Sequence, residues 1–121
     1  MKVGIDIIEN ERGKEIESVK DKIFTQNELS YILKFAQKEE HYCSAFCAKE
    51  AVFKCLNLKQ LFHKEIEILH NENGKPYVVF YGKTKDFFNE NFKEIDISIS
   101  HNKTMTTAIA IATEKTKISL L

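Results

Sequence analysis

The sequence predicts an α+β domain in which a mainly antiparallel sheet packs with one long helix. Three observations carry that prediction. Apolar and polar residues alternate over short runs in the second half of the chain, a long central stretch lacks both glycine and proline, and strands gather toward the C-terminal half instead of alternating with helices. At 121 residues the chain is expected to make a single domain, residues 1–121, around one core.

The first strand is read from Val3, Ile5, Ile7 and Ile8, an apolar run with one carboxylate, Asp6, in its middle. Period-two alternation puts Asp6 on the face opposite Ile5 and Ile7, which are expected to build the core. A short helix follows Thr25, with Thr25 as cap, Glu28 at the capping-box position, and Leu29, Ile32, Leu33 and Ala36 at helical spacing. Lys38-Glu39-Glu40 reads as a polar break. From His41 to Leu58 the residues are rich in Ala, Cys and Phe, as a long and largely buried helix would be. One polar stripe interrupts it: Glu50, Lys54 and Asn57 at i, i+4 and i+7, with Lys49 beside them. Glu65 to Leu69 alternates, Asn73-Gly74 signals a tight turn, and Tyr77 to Tyr81 is β-branched and aromatic, so these three make a hairpin. A helix over Thr84 to Phe92 and two alternating strands, Ile95 to His101 and Thr107 to Ala112, complete the order.

Hydrophobic residues make up 43% of the chain and charged ones 30%, a soluble globular composition. Basic and acidic residues, eighteen of each, cancel. No global field would therefore draw the chain to nucleic acid or an anionic membrane. No apolar run approaches the ~20 residues that span a bilayer, and the start does not resemble a secretion signal, so a cytoplasmic location is expected. Cys43, Cys47 and Cys55 fall near one helix face and read as small buried hydrophobes, with no cysteine pair to complete a zinc set.

Candidate chemistry sits at three places. An ionised Asp6 within a strand costs several kcal/mol unless its desolvation is offset; the plain alternative is an edge carboxylate paired with a lysine. Glu50 and Lys54 on a solvated helix would contribute only ~0.3–0.5 kcal/mol as a pair. Their apolar surroundings point instead to a partly buried carboxylate that serves a ligand. His101 keeps the parity of Ile95, Ile97 and Ile99, as a packed structural imidazole would, while Asn102, Lys103 and Thr104 beside it offer donors to an anion. These residue types suit Mg²⁺ between two carboxylates and a phosphate ester or pyrophosphate held by lysines and His101. Arg12 is the single arginine among eighteen basic residues, and so the one fork that matches a carboxylate, or else a solvated charge.

Four segments resemble one family. GIDIIENER is similar to the opening G-[IL]-D-[IL]-x-x-x-x-R of 4′-phosphopantetheinyl transferases of the bacterial holo-acyl-carrier-protein synthase type. FCAKEAVFKCL resembles their F-x-A-K-E-A-x-x-K helix, and NGKPYV and ISISHNKTMTTAIA resemble their later G-K-P and S-[IT]-[ST]-H segments, in the same order. The resemblance implies Mg²⁺-dependent transfer of phosphopantetheine from coenzyme A to a serine of apo acyl carrier protein, leaving adenosine 3′,5′-bisphosphate. It further implies a homotrimer with active sites between neighbours, and an apolar face is expected from the nine Phe and the Ile-rich strands. By motif, Asp6 and Glu50 would hold the Mg²⁺, Lys54 would contact phosphate, His101 would reach the coenzyme from the adjacent subunit, and Arg12 would meet an acidic residue of the carrier.

Two departures stand out. Ala45 occupies the place where related members often carry arginine, and Asn57-Leu58-Lys59 replaces a glycine-rich turn. Lys59, Lys64 or Lys75 is expected to grip the 3′-phosphate instead, with Asn102 a further substrate contact. Two other readings stay open on the residues alone: a Mg²⁺-dependent nucleotide or coenzyme A pyrophosphohydrolase, and a non-catalytic module that binds a carrier protein.

Overall fold

In the computed structural model, which describes residues 1–116, the chain runs β1 (Lys2–Glu9), α1 (Gly13–Ser18), α2 (Lys20–Ile23), α3 (Gln26–Ile32), α4 (Lys38–Leu56), β2 (Ile66–His70), β3 (Pro76–Phe80), α5 (Gly82–Asn91), β4 (Phe92–His101) and β5 (Met105–Glu114). Single 3₁₀ turns precede α1 (Asn10–Arg12) and β2 (His63–Glu65). The end of the expected domain, residues 117–121, lies outside the described residues. Both sheets are antiparallel, one of three strands in the order β1-β5-β4 and one a β2-β3 hairpin. The α+β class, the long helix and the antiparallel pairing all match the expectation. No helix among the described residues is long and apolar enough to cross a membrane.

The sheet turns its faces the other way from the expectation for β1. Val3, Ile5 and Ile7 are 62%, 62% and 64% exposed, whereas Gly4 and Ile8 are buried and Asp6 lies on their side, toward α4. The cause is how closely α4 packs. A Cβ on Gly4 would collide with the backbone carbonyl of Ala51 and the backbone amide of Cys55, so the helix rests on bare strand. Ala108, Ala110 and Ala112 of β5 keep the same side thin, and Thr107, Ile109 and Ile111 are turned outward. Bulk has moved to the outer face.

Helix α4 begins earlier than its composition suggests. Lys38-Glu39-Glu40 is not a break but the first turn, where the acidic pair faces the positive end of the helix dipole. The interruption falls at residues 33–37 instead. At the far end Asn57 adopts a left-handed conformation (φ 53°) and closes the helix as an asparagine C-cap can. Tyr42, Cys43, Cys47, Ala48, Ala51, Val52, Cys55 and Leu56 are buried along it. The thiols are core atoms: burial pushes Cys43 up to about 11 and Cys47, which also feels Asp6, up to about 12.

A polar cluster fastens α4 to α3 and β2. Thr25 and Glu28 form the expected capping box, and Glu28 does more. Its Oε1 accepts from Lys49 Nζ at 2.8 Å and its Oε2 from the Ile68 amide at 2.8 Å. Lys49, fully buried, also donates to the carbonyls of His63 (2.7 Å) and Ile66 (2.8 Å). It therefore belongs to the core and not to the polar stripe beside Glu50. Burial presses both groups of the pair toward neutrality while their attraction opposes it. Glu67 next to them accepts from Thr25 Oγ1 (2.5 Å), Asn27 Nδ2 (3.3 Å) and Tyr81 Oη (2.7 Å).

Candidate active site

Asp6, Glu50 and Lys54 meet where β1 crosses the second half of α4. Because Asp6 shares the side of Gly4 and Ile8, the close strand–helix approach carries its carboxylate to the helix. Lys54 Nζ donates to Asp6 Oδ1 at 3.0 Å and to the Ile5 carbonyl at 3.1 Å. The Asp6 side chain is 17% exposed and that of Lys54 51%, so one edge of the pair opens to solvent. One turn before Lys54, half-buried Glu50 has its carboxyl held above the usual range, first by desolvation and then by the charge of Asp6, against which Lys54 pulls it down. Hydrogen bonding to Asp6, and then its charge, keeps the Lys54 ammonium protonated more firmly than usual.

A carboxylate that burial and a neighbouring acidic charge hold toward its protonated form, beside a second carboxylate on a half-open edge, suits a small divalent cation. No group of three or more His, Cys, Asp and Glu side chains arranged to hold a metal occurs among the described residues. An ion at Asp6 and Glu50 would thus take two protein oxygens and fill the rest of its shell with water and phosphate, as Mg²⁺ prefers.

The other expected residues are dispersed around this point. Arg12 ends the turn after β1, exposed, with Nε 3.5 Å from Glu15 Oε2. His101 ends β4 opposite Thr106 and is exposed; this chain's own Asp6 pairs with Ala108, two positions along β5. Asn102 spends its Oδ1 on the amides of Thr104 (2.9 Å) and Met105 (2.8 Å), which shapes the β4–β5 loop. Lys75, in the β2–β3 turn, is ion-paired on the surface with Asp96 at 3.0 Å. Lys59 lines a separate hollow of about 450 Å³ with Lys83, Phe62 and Phe87, beyond the C-terminal end of α4. Lys64 lies in the turn before β2, on the side of the buried Lys49.

One grouping escaped the sequence reading. His41 near the start of α4, His70 at the end of β2 and His101 at the end of β4 gather at one end of the molecule. His70 stacks on Tyr31 (centroids 4.0 Å apart, planes 9°) and His41 on Phe35 (3.7 Å, 19°). Only the aromatic spacing of Tyr31 and Phe35 on and after α3 hinted at a surface for flat rings.

Known proteins resemble this chain along nearly its whole length. A family model described as the 4′-phosphopantetheinyl transferase superfamily matches residues 2–112. The holo-[acyl-carrier-protein] synthase of Fusobacterium nucleatum is 40% identical over 117 residues, which cover 90% of this chain and 95% of that protein. Among solved structures, a holo-ACP-synthase from Plasmodium yoelii is similar with a TM-score of 0.79 at 30% identity, covering 92% of each chain. A holo-(acyl-carrier-protein) synthase from Bacillus anthracis, solved in complex with CoA (3′,5′-ADP), gives 0.77 at 27% identity, covering 95% of this chain and 96% of that one. Matched over nearly its whole length, with the carboxylates of its first and second motifs close enough to sense each other's charge, the chain belongs to the 4′-phosphopantetheinyl transferase superfamily.

Proposed function

We propose that this protein is a holo-acyl-carrier-protein synthase, which moves 4′-phosphopantetheine from coenzyme A to a serine of apo acyl carrier protein and releases adenosine 3′,5′-bisphosphate. The observation that carries the reading is the meeting of Asp6, Glu50 and Lys54 at one half-open edge, in a chain so similar to holo-[acyl-carrier-protein] synthases. Asp6 and Glu50 would hold Mg²⁺, which when bound supplies positive charge to the diphosphate and its leaving oxygen. Lys54, kept charged by Asp6 and half exposed, donates to a phosphate oxygen. Glu50 or a water in the same site takes the proton of the attacking serine hydroxyl. The serine oxygen bonds to the phosphorus that bears pantetheine, the diphosphate bridge breaks, and the bridging oxygen leaves on the adenosine 3′,5′-bisphosphate. No covalent enzyme intermediate is required.

The assembly in this reading is a homotrimer. Val3, Ile5, Ile7 and Ile111 present an exposed apolar face that a water-soluble monomer has little use for. A hollow lined by Ile7, Ser100, His101, Asn102, Met105 and Thr107 lies at its margin, so His101 and Asn102 stand at the seam with the next subunit and can serve its coenzyme. Arg12, exposed in the turn after β1, would meet an acidic side chain of the carrier in this reading. Incubating the protein with apo acyl carrier protein, coenzyme A and Mg²⁺ and weighing the carrier tests the reading. One added phosphopantetheine is the expected result. Cleavage of coenzyme A without the carrier would point instead to a pyrophosphohydrolase.

A further inference from the structure

Asn10 is a buried amide whose bonds converge on one loop. It opens the turn after β1, between Asp6 and Arg12 in sequence, and is 8% exposed. Its backbone N–H donates to the Thr104 carbonyl at 2.8 Å and its Nδ2 to the Asn102 carbonyl at 2.8 Å, while its Oδ1 accepts from Thr106 Oγ1 at 2.5 Å. Two of these partners lie in the β4–β5 loop, residues 102–104, and the third just after it in β5. Among the described residues no other side chain outside that loop bonds to its backbone. Thr106, fully buried, is also the strand partner of His101.

Burial alone does not call for this residue. A leucine would fill so covered a position without an amide to satisfy, whereas a buried asparagine is costly unless its amide is bonded. What the amide adds is direction. The loop shapes itself through the Asn102 side chain, and Asn10 then fixes that preformed loop against the end of the strand that holds Asp6. The Asn102 carbonyl lies one residue beyond His101, so holding it limits how far the end of β4 can swing. We infer that Asn10 is a positioning residue, which fixes the end of β4 so that His101 reaches the coenzyme of the neighbouring subunit. The inference rests on the transferase reading, in which His101 serves that coenzyme. Asn10 acts through the loop and not on substrate or metal.

Three variants separate positioning from stability, read by KM for coenzyme A in the transfer assay and by urea unfolding. Asn10→Leu/Thr106→Val removes both ends of the buried bond, so stability should hold. The Asn102 tie is gone, however, and KM should rise about tenfold, the upper end of what one net hydrogen bond is worth. Asn10→Asp keeps the bond from Thr106 but sets an oxygen against the Asn102 carbonyl, and should raise KM at least as much. Thr106→Val keeps the tie and should lose stability with KM unmoved. In both Asn10 variants kcat should stay within about a factor of two, since the metal edge is untouched. Assemblies of the double variant with an excess of Asp6→Asn subunits should recover the unaltered KM, because an intact Asp6 then meets an intact loop across the seam. A KM that follows stability through the three variants, that stays put in the Asn10 variants, or that remains raised in the mixed assemblies overturns the positioning role. Those outcomes leave the transferase reading standing; it falls only if the unaltered protein transfers nothing to the carrier.

Discussion

Lys49→Met is the sharpest test of what holds the active-site helix in place. The ammonium of Lys49 makes three bonds, to the Glu28 carboxylate and the Ile66 carbonyl, both buried, and to the carbonyl of His63, partly buried. Removing one partner of a buried ion pair costs about 3–5 kcal/mol, since the other charge stays desolvated. Two carbonyls that lose a donor raise the cost, although Glu28 retains the amides of Thr25 and Ile68 and its proton affinity is already raised. The expected loss is therefore about 4 kcal/mol, a large share of the 5–15 kcal/mol that stabilises a domain. Urea unfolding measures it as a lower midpoint at unchanged slope. The double variant Glu28→Gln/Lys49→Met leaves no unpaired charge and should lose less than the sum of the single variants. A cost below about 1 kcal/mol for Lys49→Met, or strict additivity, would show that the pair is solvated in solution and refute the reasoning.

Three other outcomes are expected. Gly4→Ala must push α4 away from β1, because the new Cβ meets helix backbone, so stability should fall by about 3 kcal/mol and Mg²⁺ affinity with it; an unaltered affinity by calorimetry would separate the two effects. Ile5→Glu with Ile109→Glu, a cross-strand pair on the outer face, should yield folded monomers in sedimentation with transfer abolished if the proposed trimer forms through that face; an assembly unchanged by the pair would remove the face from the interface. Metal binding needs Glu50 ionised, so Mg²⁺ affinity should fall as pH drops through its raised proton affinity, sooner than an ordinary glutamate would allow. Asp6→Asn should move the Glu50 carboxyl midpoint only part of the way down in carbon NMR, since burial, the larger cause, remains; no movement would mean that the two carboxylates do not sense each other.

The sequence made the elements legible where local chemistry specifies them. Thr25 with Glu28, Asn73-Gly74, and the alternation after Ile95 each name a structure within a few residues, and the structure contains all of them. The Glu50–Lys54 stripe was visible for the same reason, being one helical turn. Contacts between distant segments were not. Glu28 reads as a capping residue and Lys49 as a neighbour of the polar stripe, and nothing local shows that both are swallowed by the core. The histidines at positions 41, 70 and 101 are separated by whole elements, so their meeting depends on where three chain ends land. The helices of residues 13–23 are too short to carry a periodic signal.

The reversed sheet shows most about how site and assembly depend on each other. Alternation distinguishes two faces of a strand but cannot say which one a helix will cover, and burying the larger residues is the natural guess for a lone domain. Here Gly4 and the three alanines of β5 form the covered face, and only so thin a face lets α4 come close enough for Lys54 to reach Asp6 at 3.0 Å. The isoleucines displaced to the outside are then left without a cover among the described residues. A second copy offers the same face and the same need. The packing that assembles the carboxylates also leaves the apolar face open, so the proposed interface, with His101 at its margin, and the proposed metal edge rest on the same choice of small residues.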